Sequence, residues 1–134
     1  MRLECRQCVV RDWSPVDREA LVRNADNRAV WRNLTHSFPH PYTRADADAW
    51  FAHLAALPEP TSWAIEVAGA AVGGIGLDPG EGVFARSADF GYWLGEPSWG
   101  RGIMTEAARA VIPYVMEHFG VCRLEAAVFA WNPA

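Results

Sequence analysis

Lysine is absent from this sequence: all twelve basic side chains are arginine. A Walker A phosphate loop and Schiff-base or pyridoxal chemistry each require a lysine amine, so all of these are excluded. Cysteine is scarce and odd in number, at Cys5, Cys8 and Cys122, which argues against a disulfide scaffold and suits a reducing compartment. Cys5 and Cys8 form a C-x-x-C, but they have no second pair, no nearby histidine ligand and no strand-to-helix context of a thioredoxin site. The pattern therefore predicts two cysteines in an N-terminal strand, with no metal. No run of about 18 apolar residues occurs, and the N-terminus from Met1 to Arg6 carries charges where a signal peptide needs an apolar stretch. A soluble, cytoplasmic protein with no membrane partner is expected. The formal charge of −4 comes with scattered arginines and no basic stripe, so nucleic acid is not expected as a partner. An acidic balance is compatible with a cationic amine substrate, although solubility explains it equally well.

What is present suffices for one core. The chain has 134 residues, of which 51% are hydrophobic, and the length calls for one domain or part of one. Cys8 to Trp13 reads as a strand. Ser14 then caps a helix with Pro15 in its first position, and Ala20, Leu21, Ala25, Val30 and Trp31 continue it at helical spacing. The prolines of Phe38-Pro39-His40-Pro41-Tyr42 break that pattern, and a second helix is expected from Arg44 to Leu57. From Ser62 the period changes. Trp63 to Val67 and Ala71 to Leu77 form a hairpin about Gly69, Asp78 to Gly82 is a loop, and Ala88 to Leu94 is a further strand. Ile103 to Phe119 is a helix closed by Gly120, and Arg123 to Ala130 is a last strand. Early helices, a central meander and a closing strand, helix, strand unit predict an α+β fold with a mixed, mainly antiparallel sheet flanked by helices. Pro113 lies inside the apolar pattern of the last helix, where an irregularity between Arg109 and Pro113 is expected.

The interruption from Gly95 to Gly102 is the segment with chemical content. Glycines let the backbone pass close to a ligand, while the first N–H groups of a helix lack internal partners and lie at the positive end of its dipole. Trp99-Gly100-Arg101-Gly102 before a helix therefore suits an anion. The dipole supplies only about 0.3–1 kcal/mol per favourable charge, so affinity must rest on several directed N–H contacts.

The longer string Gly91-Tyr92-Trp93-Leu94 followed by Trp99-Gly100-Arg101-Gly102-Ile103-Met104-Thr105-Glu106-Ala107 resembles the Gcn5-related N-acetyltransferase superfamily, in its ribosomal-protein-alanine acetyltransferase branch. Phe38 to Thr43 and Ala130-Trp131-Asn132-Pro133-Ala134 are also similar to that branch. The resemblance implies acetyl-coenzyme A as co-substrate, an amine acceptor and no metal. It puts the phosphate loop on residues 97 to 102, with Pro97 departing from the usual Gln or Arg. It assigns cofactor contacts to the backbone of Trp99, Gly100, Arg101, Gly102, Ile103 and Met104, to the hydroxyl of Thr105, to the backbone of Trp93 and Leu94, and to Asn132. It also implies an acidic residue at Asp89, which would take the amine proton directly or through water. Trp31, Phe38 and Tyr42 are candidates to line the acceptor pocket. Members of that branch continue beyond the Asn-Pro-Ala with a helix and strands, so the domain is expected to be incomplete at its C-terminus. Self-association through the exposed edge of Arg123 to Ala130 is the expected consequence.

Amine attack on a thioester requires a base for the ammonium, donors for the developing oxyanion and an aligned thioester, and this set of residues matches those needs. Dinucleotide binding is the rival enzymatic reading. It fits poorly, because Thr105 replaces the third small residue, Trp99 adds bulk at the turn and the first half has no repeated βαβ unit. A non-enzymatic alternative is a degenerate acetyltransferase fold serving in binding or assembly. His36 and His40 lie four apart, but prolines flank His40, so a helical metal pair is not expected; His53 and His118 are expected on helix surfaces.

Overall fold

The computed structural model of the chain describes residues 1–31, 41–79, 87–120 and 123–125. One sheet holds β1 (Arg2–Glu4), β2 (Val9–Asp12), β3 (Ser62–Val67), β4 (Ala70–Pro79), β5 (Ser87–Leu94) and β6 (Arg123–Glu125), neighbours in that order. All neighbouring pairs are antiparallel except β5 and β6, which are parallel. The helices α1 (Arg18–Ala25), α2 (Arg28–Trp31) and α3 (Arg44–Ala56) lie between β2 and β3 in sequence, and α4 (Ile103–Phe119) joins β5 to β6. A parallel pair requires a crossover connection, and α4 is that crossover. The chain thus adopts the expected α+β class with a mixed, mainly antiparallel sheet.

Side-chain alternation along the strands divides the core in two. Val10, Trp63, Ile65, Ile75, Leu77, Phe90 and Leu94 pack with Ile103, Ala107, Val111 and Val115 of α4, whose four-residue spacing makes a single stripe. The second cluster gathers Leu21, Ala25, Tyr42 and Ala47, from α1 and α3 and the segment between, with Trp13 and Trp93 against them. Trp93 and Leu94 are adjacent in β5 and enter different clusters, as strand periodicity requires. Charge fastens α1 to the sheet: the Arg11 guanidinium of β2 donates to both Asp17 oxygens at 2.9 and 2.8 Å and to Glu66 of β3 at 2.7 Å. The hairpin turn at Ala68 and Gly69 has φ of 53° and 83°, the sign that suits the twist of the strands it joins.

Three expectations need correction. The first helix does not run unbroken to Trp31. A 3₁₀ turn at Pro15–Asp17 precedes α1, and Asp26 and Asn27 end it. Asp26 accepts the Tyr42 N–H at 3.0 Å, and Asn27 Oδ1 accepts the N–H groups of Ala29 and Val30 at 2.7 and 3.3 Å, starting α2 afresh. Short polar side chains that bond to nearby backbone outweighed the apolar spacing. Cys5 and Cys8 are not strand residues. They flank the two-residue turn Arg6-Gln7 between β1 and β2, with Cys5 N–H donating to the Cys8 carbonyl at 2.8 Å. Finally, α4 is one uninterrupted helix through Pro113. Arg109 and Pro113 are both exposed, so the carbonyl that loses its helical partner lies on the solvent side, where hydration is available to it. His53 and His118 are exposed on their helices, as expected. Of the last strand, residues 126–130 lie outside the described set.

Candidate active site

The site is built where β5 ends and α4 begins. Leu94 closes β5 opposite Gly73 of β4. A Cβ on Gly73 would collide with the Trp93 carbonyl and come within 3.1 Å of Leu94 Cα, so the bare glycine is what lets β4 lie this close to the end of β5. Beyond the strand the Gly95 N–H donates to Val72 O at 2.7 Å, and Glu96–Ser98 makes one 3₁₀ turn, closed by Ser98 N–H to Gly95 O at 2.9 Å and Trp99 N–H to Glu96 O at 3.0 Å. Pro97 lies within that turn, where its missing N–H is of no consequence.

The next residues reverse this economy of hydrogen bonds. Gly100 and Gly102 have φ of 75° and 76°, a region that glycine enters without penalty. Among the described residues, and apart from its chain neighbours, no atom lies within 4 Å of a Cβ placed on Gly100, and one on Gly102 meets only Gln7 Nε2 at 3.9 Å. Packing therefore does not explain these glycines; the backbone path does, and it leaves open space beside it. The first helical bond at this end is Glu106 N–H to Gly102 O at 3.1 Å. Among the described residues, the N–H groups from Gly102 to Thr105 meet no hydrogen-bond acceptor, while the turn at Trp99 and Gly100 closes back through the Arg101 N–H. Consecutive free donors at the positive end of a 17-residue helix are an arrangement that can hold an anion.

One bond here escaped sequence reasoning. The Trp99 indole N–H donates to the Leu94 carbonyl at 2.7 Å, tying the turn back to the strand end. The side chain that adds bulk to the turn is also what fixes its position, and Trp99 stays 41% exposed. Only the turn between residues 94 and 99 brings donor and acceptor together, and no spacing rule signals it.

The remaining candidates are distributed as follows. Ile103 is buried in the α4 stripe, Met104 is half-buried, and Arg101 and Thr105 are exposed at the turn. The backbone of Asp89 pairs with Asp78 of β4 on one side and Glu125 of β6 on the other, five positions before the end of β5. Its side chain, like that of Trp31, lies outside the described set, as do Phe38 and Asn132 altogether. Tyr42 is 5% exposed within the α1 and α3 cluster, a packing position. Burial first, and then the nearby Asp46 charge, push its phenol up to about 12.

Comparison with known proteins adds to this geometry. Residues 7–134 match the family model described as acetyltransferase (GNAT) domain. No curated protein sequence matches. Among solved structures, the GNAT-family acetyltransferase from Bacillus anthracis superposes with a TM-score of 0.76 at 16% identity, covering 94% of this chain and 72% of that one. RimJ from Mycobacterium smegmatis, solved in complex with CoA-disulfide, gives 0.78 at 24% identity over 94% of this chain and 64% of that one. An acetyl transferase from Salmonella typhimurium, described as modifying the N-terminal serine of ribosomal protein L7/L12, gives 0.77 at 17% identity over 96% and 74%. At these identities the likeness is one of fold.

Proposed function

Because this chain belongs to the acetyltransferase (GNAT) domain family, we propose that it transfers the acetyl group of acetyl-coenzyme A to a primary amine, either a protein N-terminus or a small-molecule amine. The observation that carries this reading is the row of N–H groups from Gly102 to Thr105 that have no partner among the described residues, beside two positive-φ glycines with open space at their Cβ positions. Acetyl-coenzyme A supplies the acetyl group as a thioester. The turn holds its pyrophosphate through the backbone of Gly100, Arg101, Gly102, Ile103 and Met104, with the Thr105 hydroxyl adding a contact; Trp99, whose N–H is already given to the Glu96 carbonyl, drops out of this set. The Trp93 and Leu94 backbone at the end of β5 aligns the pantetheine arm. Of these groups the Leu94 carbonyl already accepts from Trp99, which leaves it one lone pair for the arm. Asn132 contributes the coenzyme A contact that the family resemblance assigns to it.

Asp89 is the proposed base. About 16 Å of strand separate it from Leu94 at the usual rise, so a cofactor anchored at the turn and running back along β5 carries its reactive end towards Asp89. There the carboxylate takes a proton from the acceptor's ammonium, directly or through water, and the freed nitrogen lone pair forms the new N–C bond as the C–S bond breaks; coenzyme A departs as the thiolate and takes up the proton that the acylated nitrogen sheds. Holding both reactants on one rigid strand supplies the alignment. The acceptor pocket is assigned to Trp31 and Phe38, while Tyr42 packs in the α1 and α3 cluster.

Calorimetry with coenzyme A, and an acetylation panel of peptides with N-terminal alanine or serine, a polyamine and small amines, test the proposal in its two parts. Coenzyme A binding and acetylation of at least one amine are expected. Failure to bind coenzyme A would overturn the site, and binding without transfer to any amine would favour a degenerate binding module.

A further inference from the structure

The two-residue turn between β1 and β2 brings together groups that the cofactor site does not use. Cys5 and Cys8 flank the turn, and Glu106 reaches them from the first turn of α4; one ligand atom from each of the three lies within 4.8 Å of the other two. We propose that Cys5, Cys8 and Glu106 bind one divalent cation of the thiolate-preferring class, with zinc the natural occupant and water in the fourth position.

Three observations support this. The first is donor chemistry: two sulfurs and a carboxylate oxygen are a zinc set, and C-x-x-C on a tight turn is the spacing in which such sites present paired thiolates. The second is geometry. A tetrahedral zinc with bonds of about 2.3 Å to sulfur and 2.0–2.2 Å to oxygen holds its ligand atoms roughly 3.5–3.8 Å apart, so an inward movement of about an ångström closes the set. The third is that Glu106 is held in place. Its two oxygens accept the Gln7 backbone N–H at 2.7 Å and the Gln7 side-chain amide at 3.3 Å, with the Arg6 backbone N–H a further donor, and of the carboxylate's roughly four acceptor sites one is left for a metal. On binding, the two thiols release their protons to solvent and the carboxylate joins already ionised. The cation would then clamp the hairpin turn onto α4 one turn beyond Gly102, whose own neighbour is Gln7 at 3.9 Å.

The test uses the full chain, reduced and stripped of metal by a chelator, titrated with Co²⁺ and then Zn²⁺. Expected are the visible bands of tetrahedral cobalt with thiolate charge transfer, saturating at one ion per chain and bleached by zinc. Cys5→Ser should abolish them, Glu106→Gln should weaken binding at least about tenfold, and Cys122→Ser should leave them intact. Cys8 is a core residue, so the half-buried Cys5 and the surface Glu106 decide the matter if Cys8→Ser does not fold. Absence of the bands in wild type, their survival in folded Cys5→Ser, or their dependence on Cys122 would each overturn the proposal. A second readout is thermal unfolding, which zinc should raise in wild type and leave unmoved in Cys5→Ser.

Discussion

Replacing Gly102 by glutamate should separate the fold's use of this residue from the ligand's. Gly102 is the N-cap of α4 at φ 76°, and any side chain there incurs left-handed strain of roughly 1–2 kcal/mol. Sterically the fold is indifferent, since the nearest atom to an added Cβ is Gln7 Nε2 at 3.9 Å. Gly102→Ala should therefore lose about 1–2 kcal/mol in urea unfolding while remaining folded. Gly102→Glu should lose a similar amount, with an added effect on coenzyme A binding. A carboxylate about 5 Å from one pyrophosphate charge costs about 1–3 kcal/mol at effective dielectric constants of 80 to 20. That corresponds to a loss of about 5- to 200-fold in affinity, beyond any loss from bulk. Calorimetry on both variants, with circular dichroism as the folding control, gives the answer. A folded Gly102→Glu that binds coenzyme A as tightly as wild type would refute the placement of the pyrophosphate at this turn.

Four further outcomes are expected. Asp89→Asn should lower turnover by about 10²–10⁴-fold, the usual scale for a general base, with coenzyme A affinity unchanged; wild-type rates at saturating substrate would remove Asp89 from that role. Asp17→Ala should cost about 2–3 kcal/mol in denaturant unfolding, less than the full loss of a buried ion pair because Glu66 still pairs with Arg11. Gly73→Ala should destabilise by about 1–3 kcal/mol through overpacking against β5, whereas Gly100→Ala, with open space around it, should show only backbone strain. Tyr42 keeps its proton to about 12 in the folded chain. The unfolded chain loses that proton near 10, so the folded state binds more protons in the interval and stability should fall as pH rises from about 10 to 12, by at most about 1.4 kcal/mol per pH unit. Burial also pushes the Cys8 thiol up to about 12, so Tyr42→Phe should remove only the Tyr42 share of the alkaline slope, which denaturant titrations at several pH values would measure.

The elements that were legible in the sequence were those whose cause is local. The α4 boundaries follow from apolar residues at four-residue spacing between Gly102 and Gly120; Gly120 takes the positive φ of a C-terminal cap, whereas the positive φ of Gly102 belongs to the turn before the helix. The Thr43 start of α3 is a reciprocal cap, Thr43 with Asp46, written within four residues. The break at Asp26 and Asn27 is also local, but spacing alone overlooked it because polar side chains there compete for backbone donors. Glu106 was illegible as a neighbour of Cys5 and Cys8: 98 residues separate it from Cys8, and only the packing of α4 under the first hairpin joins them.

By itself the sequence determined the alternation of strands, helices and glycine-bearing turns, because hydrophobic period and backbone freedom are properties of neighbouring residues. It also determined the family, through a string of residues around one turn. Tertiary structure alone decided that the N–H groups from Gly102 to Thr105 are left without partners among the described residues, that the Trp99 indole closes on Leu94, and that two thiols meet a carboxylate. Each of these depends on where distant segments come to rest, and that is set by which faces of the sheet and helices must be buried together.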